Sequence, residues 1–243
     1  MNDKLTVLIP TSPIPSHPST AILDETIVNI RKYTDAKIIL LCDGVHESLR
    51  QREDNYRAYL QAVHENVTYK KYGNADIVLF SVHNHQSGMT RWILQEIETP
   101  LICFCEHDTS PIGEIPWQRI CDLVLYSREI NCMRFNIFDR IPDEHEYLML
   151  KEYYEDSVKY RRTIQWSQRP HIAKTDWYRN ILTDYFTRDQ KSMIEDIMHS
   201  VVQSEYDQKG KDEFGLAIYT PDGNQLRSYH SDARGSDEKI IYG

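Results

Sequence analysis

No stretch of this 243-residue chain approaches the roughly 20 consecutive apolar residues that a membrane-crossing helix requires, which excludes a helical membrane span. The amino end, MNDKLTVLIP, runs straight into a strand-like segment with no basic stretch ahead of an apolar one, so no secretory leader is expected. Cysteine is scarce and odd in number. Cys42, Cys103, Cys105, Cys121 and Cys132 lie mostly in apolar segments, a pattern of reduced, buried thiols rather than a disulfide scaffold, and a cytoplasmic setting is expected. Positive charge is in deficit, 28 Lys and Arg against 37 Asp and Glu, and the net −9 argues against a large nucleic-acid footprint while leaving room for a local basic groove. Internal repeats, low-complexity tracts and flexible linkers are missing too. The loop after the first strand, IPTSPIPSHP, contains no glycine, so the chain does not open on a glycine-rich phosphate loop.

What is present is ample material for a core, at 40% hydrophobic residues. Leu5–Ile9 reads as a short parallel-type strand, after which Pro10, Pro13, Pro15 and Pro18 force a stiff extended loop. Ser19 or Thr20 can cap a helix with Leu23, Ile27 and Ile30 on one face. AKIILLCDG is a second buried strand, residues 47–64 a charged helix, and DIVLFSVH a third strand. A helix carrying Met89, Ile93 and Ile97 stops before Pro100, and Leu101–Glu106 is the fourth strand. Pro116 suits the first turn of another helix, and INCMRFNIF alternates as a fifth strand. This alternation implies an α/β fold, a Rossmann-like, mostly parallel sheet flanked by helices. Beyond Pro142 the pattern loosens. It leaves a short helix capped by Thr175 or Asp176, a longer helix over 189–208 with Ile194, Ile197 and Val201 inward, and a β-hairpin in LAIYTPDGNQLRSYH turning at Asp222-Gly223.

The chemistry concentrates in LICFCEHDTS, where a core strand runs directly into Glu106, His107 and Asp108. In an open parallel sheet, ligands bind beyond the carboxyl ends of the strands. Alternation along an extended backbone points Glu106 and Asp108 to one side and His107 to the other. Two such carboxylates can chelate a hard divalent cation or hold its waters, and the alternative is a pair of solvated carboxylates at a strand end. A zinc site built on Cys103, Cys105 and His107 lacks CxxC-type spacing and an evident fourth ligand.

With these residues in place, the chain resembles a glycosyltransferase of the GT-A fold, broadly family-2-like. VLIPTSPIP, ILLCDG and FCEHD stand where that family has its first strand end, its second-strand acid and its DxD motif, in order over about residues 5–140. The resemblance implies Mn²⁺ or Mg²⁺, a nucleotide-sugar donor, and one domain in two halves, residues 1–140 for the donor and 141–243 for the acceptor and a late metal loop. It implies that Pro10, Thr11 and Asp43 frame the nucleoside, with Ser87, Gly88 and Arg91 at a helix start beside the phosphates. Glu106 replaces the first acid of DxD, leaving Asp108 as the direct metal ligand and Glu106 acting on the metal through water, or on ribose; His107 completes the nucleotide-sugar motif. His230 in RSYHSDAR is the late second metal ligand, with Arg234 and Lys239 reaching the phosphates.

Trp166, Arg169, His171 and Trp177 are the candidate acceptor contacts, and a packed helix face explains the aromatic pair equally well. MIEDIM resembles the late acidic motif, making Asp196 the first candidate for an acceptor-activating base and Glu195 the second. The acceptor is a hydroxyl of open class, a saccharide favoured and a modified nucleic-acid base not excluded. The rival readings are a nucleotidyltransferase with a similar acidic site and an inactive binding module of the same fold.

Overall fold

The computed structural model describes residues 2–231. Nine strands form one sheet: β1 (Leu5–Thr11), β2 (Lys37–Cys42), β3 (Ala75–Leu79), β4 (Leu101–Phe104), β6 (Cys132–Phe135), β7 (Met149–Glu155), β8 (Val158–Thr163), β9 (His171–Lys174) and β10 (Leu216–Tyr219). Two short strands, β5 (Thr109–Pro111) and β11 (Ser228–His230), pair apart from it. The order is β3-β2-β1-β4-β9-β6-β10-β8-β7. Followed through the pairings, β3, β2, β1, β4, β6, β10 and β7 run one way, and only β8 and β9 are reversed.

Burial of both sheet faces explains the near-continuous apolar strands. Leu5, Val7 and Ile9 of β1 face one core, shared with α1 (Ala21–Arg31), α2 (Glu53–Thr68) and α4 (Trp117–Tyr126). Leu8 faces the other, shared with α3 (His85–Ile93), α5 (Thr175–Asp184) and α6 (Ile194–Lys209). Leu23, Ile27 and Ile30 of α1 are buried at the spacing their sequence suggests. Among the described residues no helix is long and apolar enough to cross a membrane. All five cysteines are free thiols in the core.

Several elements differ from the sequence reading. The fourth strand stops at Phe104, so Glu106, His107 and Asp108 form a turn closed by Thr109 N–H donating to Glu106 O at 3.1 Å. The charged helix begins as a 3₁₀ turn over Glu47–Arg52, capped by the His46 imidazole accepting Ser48 N–H, before α2 proper. Helix α6 begins at Ile194 rather than near 189, because Ser87 holds the preceding segment: its N–H donates to Ser192 O and its hydroxyl to Gln190 O, both at 3.1 Å. Its buried stripe is Ile194, Met198 and Val202, with Ile197 and Val201 at the edge of the core.

The hairpin expected after Leu216 does not form. Instead β10 enters the main sheet between β6 and β8, and β11 crosses to pair with β5, 117 residues away at Ser228–Pro111. Strands β7 and β8, unread from sequence, form a hairpin through Asp156 and Ser157, both at positive φ (47° and 64°). That geometry is normally signalled by Asn-Gly or Asp-Gly.

His171 opens β9 in a cluster with the rings of Phe104 and Tyr178, with Nδ1 held at 2.8 Å by the Arg169 carbonyl and Nε2 buried without a hydrogen-bond partner. Burial lowers its pKa to about 4. A histidine neutral in the folded state and protonated in the unfolded state stabilises above pH 6.5, and that stability is lost as pH falls toward 4. The loss should total about 3 kcal/mol. Urea unfolding at pH 7.5, 6 and 5 should show this decline, and His171→Phe should flatten it; equal pH dependence in both proteins would refute the assignment.

Candidate active site

A cavity of about 800 Å³ opens at the carboxyl ends of β1, β2 and β4. Its size suits a nucleotide-sized ligand. Pro10 and Thr11 close β1 on one wall, with the Thr11 hydroxyl 3.3 Å from the buried Tyr59 hydroxyl. Beside it the acidic turn is fixed by its backbone. His107 N–H donates to Pro10 O at 3.3 Å, and His107 O accepts the Thr26 hydroxyl at 2.8 Å. Glu106, His107 and Asp108 all line the cavity.

His230 reaches this turn through the β5–β11 pairing, which sets it opposite Thr109. Its Nδ1 lies 2.9 Å from the Thr109 hydroxyl and 3.8 Å from Asp108 Oδ2. Arg227, just ahead of β11, is fully inside the protein. Its guanidinium pairs with both oxygens of Asp139 and donates to Glu114 O at 2.7 Å.

Burial, then the charge of Asp108, pushes the Glu106 carboxyl up to about 7, with His230 acting in the opposite direction and a hydrogen bond from Gln86 (2.6 Å) doing the same. Two acids whose charges oppose each other are what a divalent cation would relieve. Asp108, Glu106 and His230 supply hard oxygen and imidazole donors that suit Mn²⁺ or Mg²⁺. Among the described residues no three His, Cys, Asp or Glu side chains gather closely enough to hold a cation unaided. Such an ion would need further oxygens from a bound diphosphate or water.

Asp43 lines the cavity in a different condition. Its carboxylate accepts the N–H groups of Gly44 (2.9 Å), Asn84 (2.7 Å) and His85 (2.9 Å), and His83 Nδ1 lies 2.9 Å from Oδ2. It therefore holds the loop after β3 against the end of β2. Gly44 permits the approach, since a Cβ there would sit 2.2 Å from Val82 C. The same loop holds His85 at φ 58°, an uncommon conformation for a side chain with a Cβ. His46, His83 and His85 line this wall, successive rings meeting edge to face with centroids 4.8 and 5.4 Å apart. Sequence reasoning passed over all three; the available signal was HNH at the end of the third strand.

The other expected residues are spread more widely. Ser87 ties α3 to the segment before α6, and Gly88 packs against Asn84. Arg91 donates to the carbonyls of Leu182, Phe186 and Thr187, closing the carboxyl end of α5 outside the cavity. Arg169 lines the cavity. Trp166 and His171 are core residues, and Trp177 packs half-buried against Trp166 at 5.7 Å. Glu195 accepts the Gln168 N–H at 2.8 Å, while Asp196 is exposed in the first turn of α6. Arg234 and Lys239 lie outside the described residues.

No protein-family model and no curated protein matches this sequence. Solved structures do. GalNAc-T7 with UDP, GalNAc and Mn²⁺ aligns with a TM-score of 0.60 at 10% identity, over 89% of this chain and 42% of that one. Mannosyltransferase PcManGT from Pyrobaculum calidifontis, in complex with GDP-Man and Mn²⁺, aligns at 0.55 and 10% identity, over 90% and 57%. UDP-glucose pyrophosphorylase complexed with UDP-glucose aligns at 0.56 and 10% identity, over 97% and 96%. The chain has the GT-A, Rossmann-like fold. It spans about half the length of the two glycosyltransferases, and the same fold serves glycosyltransferases and a pyrophosphorylase.

Asp43→Asn removes the charge and leaves one carbonyl oxygen to serve four donors. The variant should lose about 3 kcal/mol of stability, the scale of hydrogen bonds to a buried charge. Amide exchange at Asn84 and His85 should rise. Urea unfolding with unchanged stability would show that Asp43 does not organise this wall.

Proposed function

We propose that this protein is a glycosyltransferase that uses Mn²⁺ or Mg²⁺ to move a sugar from a nucleotide-sugar donor to a hydroxyl acceptor. The observation that carries this reading is the convergence of Asp108, Glu106 and His230 on one cavity at the carboxyl ends of parallel strands. Residues 1–140 form the donor half, with Pro10 and Thr11 against the nucleoside and Asp43 shaping its wall. Residues 141–243 supply the acceptor side and the late metal loop, and the resemblance assigns Arg234 and Lys239, outside the described residues, to the phosphates.

Asp108 and His230 would hold the cation, with Glu106 acting through its water or on the ribose. Bound there, the cation supplies positive charge to the diphosphate as it leaves. Arg169, lining the same cavity, serves the acceptor side, while Trp166, His171 and Trp177 support that wall from within. Asp196 takes the proton from the acceptor hydroxyl if the reaction inverts. Glu195 is the alternative, although its Oε2 already receives Gln168 N–H. The acceptor class favoured is a saccharide, and a modified nucleic-acid base is the other class to assay.

Nucleotidyl transfer is the second reading, favoured by the nearly end-to-end alignment with UDP-glucose pyrophosphorylase. The glycine-free loop after β1 weighs against it. Release of a nucleoside diphosphate identifies the first reaction, and release of pyrophosphate the second.

Thermal shift with UDP, GDP, CMP and TDP, each with and without Mn²⁺, tests the donor site. One nucleotide should stabilise the protein in a metal-dependent way. Asp108→Ala should abolish that shift without altering the fold. His230→Ala should weaken metal-dependent binding about 10- to 100-fold. Wild-type binding by Asp108→Ala would sink the proposed site.

For the acceptor side, Asp196→Asn should lower kcat about 100-fold with donor affinity little changed, and Glu195→Gln should affect it far less. Near-wild-type turnover in both variants would remove this helix as the source of a base.

A further inference from the structure

Nothing in the sequence pattern singles out Gln86, yet the structure gives it two partners from distant parts of the chain. It is the second residue of α3 and 4% exposed. Its Nε2 donates to Glu106 Oε1 at 2.6 Å, and its Oε1 accepts the Ile194 N–H at 3.0 Å. Each partner fixes the same orientation of the amide. A carboxylate requires a donor, and a backbone N–H requires an acceptor, so the reversed amide would lose both bonds.

The two partners matter for different reasons. Ile194 opens α6, and its N–H is one of the amino-terminal donors that a helix cannot satisfy itself. Met193, at the cap position, makes no side-chain capping bond, so Gln86 closes this helix from another element. Glu106 is the cavity acid with the raised pKa, and Gln86 takes one of its two oxygens, leaving the other to serve a cation or its water. The next residue reinforces the junction, since Ser87 makes three further hydrogen bonds to Gln190 and Ser192.

We propose that Gln86 is a positioning residue. One buried amide sets the Glu106 carboxylate on the donor side and the first turn of α6, bearing Glu195 and Asp196, in fixed relation to each other. This inference rests on the glycosyltransferase reading of the cavity. It assigns no bond-making step to Gln86, which acts through the groups it holds.

Gln86→Met keeps the length and removes both hydrogen bonds. Amide exchange at Ile194 should rise about 10-fold, the scale of a lost helix cap, with Met198 and Val202 unchanged. Gln86→Glu retains an acceptor for the Ile194 N–H and should restore its protection. Mn²⁺-dependent affinity for whichever of UDP, GDP, CMP and TDP the wild type binds should fall about 10-fold in Gln86→Met. In a Glu106→Gln background the same substitution should cause little further loss, because both changes break one arm of the same arrangement.

Additive losses in this cycle, or unchanged exchange at Ile194, would overturn the proposal. Should Gln86→Met fail to fold, Gln86→Asn, too short to span both partners, takes its place in every measurement. If the wild type binds none of UDP, GDP, CMP and TDP with Mn²⁺, the glycosyltransferase reading fails and the positioning role with it. Raised exchange at Ile194 would then leave Gln86 as a helix cap alone.

Discussion

Arg227 carries its guanidinium into the interior, where Asp139 takes it from two sides and the Glu114 carbonyl accepts a third bond. Breaking such a buried pair leaves an uncompensated charge and costs about 3–5 kcal/mol. The pair fixes the chain immediately before β11, and therefore which residue of β11 meets Thr109. Strand side chains alternate, so a slip of one residue would turn His230 away from Asp108 and present Tyr229 or Ser231 in its place. The acidic turn comes from residue 106 onward and the histidine from near the other end of the chain. Their meeting depends on a register three residues long, which this ion pair holds together with the backbone bonds of Arg227 to Ile137 and Ile112 and of Ser231 to Asp108.

The cavity treats its two framework acids in opposite ways. Asp43 is surrounded by three backbone N–H groups and an imidazole, and its role is to shape the wall that carries His83 and His85. Glu106 receives one side-chain donor and faces another carboxylate. The first arrangement stabilises a fixed anion through oriented dipoles, and the second leaves negative charge poorly compensated at the mouth of a parallel sheet. The amino end of α3 lies between them, bonded to Asp43 through His85 N–H and to Glu106 through Gln86. Glycosyltransferases and a pyrophosphorylase share this fold, so the distribution of donors around these two acids says more about chemistry than the sheet does.

The parallel half of the sheet was legible because its strands are buried on both faces and read as unbroken apolar runs, as KIILLC and LICF do. Their ends were legible too, since Asp43 and Glu106 interrupt those runs. The second half was opaque for identifiable reasons. Strand β7 alternates poorly and is largely exposed, and the β7–β8 turn uses Asp156 and Ser157 where glycine would have announced it. Strand β9 has four residues, and its reversed direction is set only by insertion between β4 and β6. Asp222-Gly223 suggested a hairpin that β10 forgoes by pairing with β6 and β8. Gln86 and His83 escaped notice because tertiary hydrogen bonds, to Glu106 and Ile194 and to Asp43, give them their positions.

The five thiols, all enclosed in the sheet and its covering helices, give this molecule an internal clock for opening. Burial raises the pKa of every one of them, so an alkylating reagent meets neither an accessible sulfur nor a thiolate while the fold is closed. Cys42 and Cys105 adjoin Asp43 and Glu106 directly, whereas Cys121 belongs to α4, in the helical layer that covers the sheet. Covalent tagging at the first two therefore reports when the strand ends beneath the cavity come apart, and tagging at the third when the helical layer does. The native sequence thus carries its own site-resolved labels for local against global unfolding, with no engineered cysteine required.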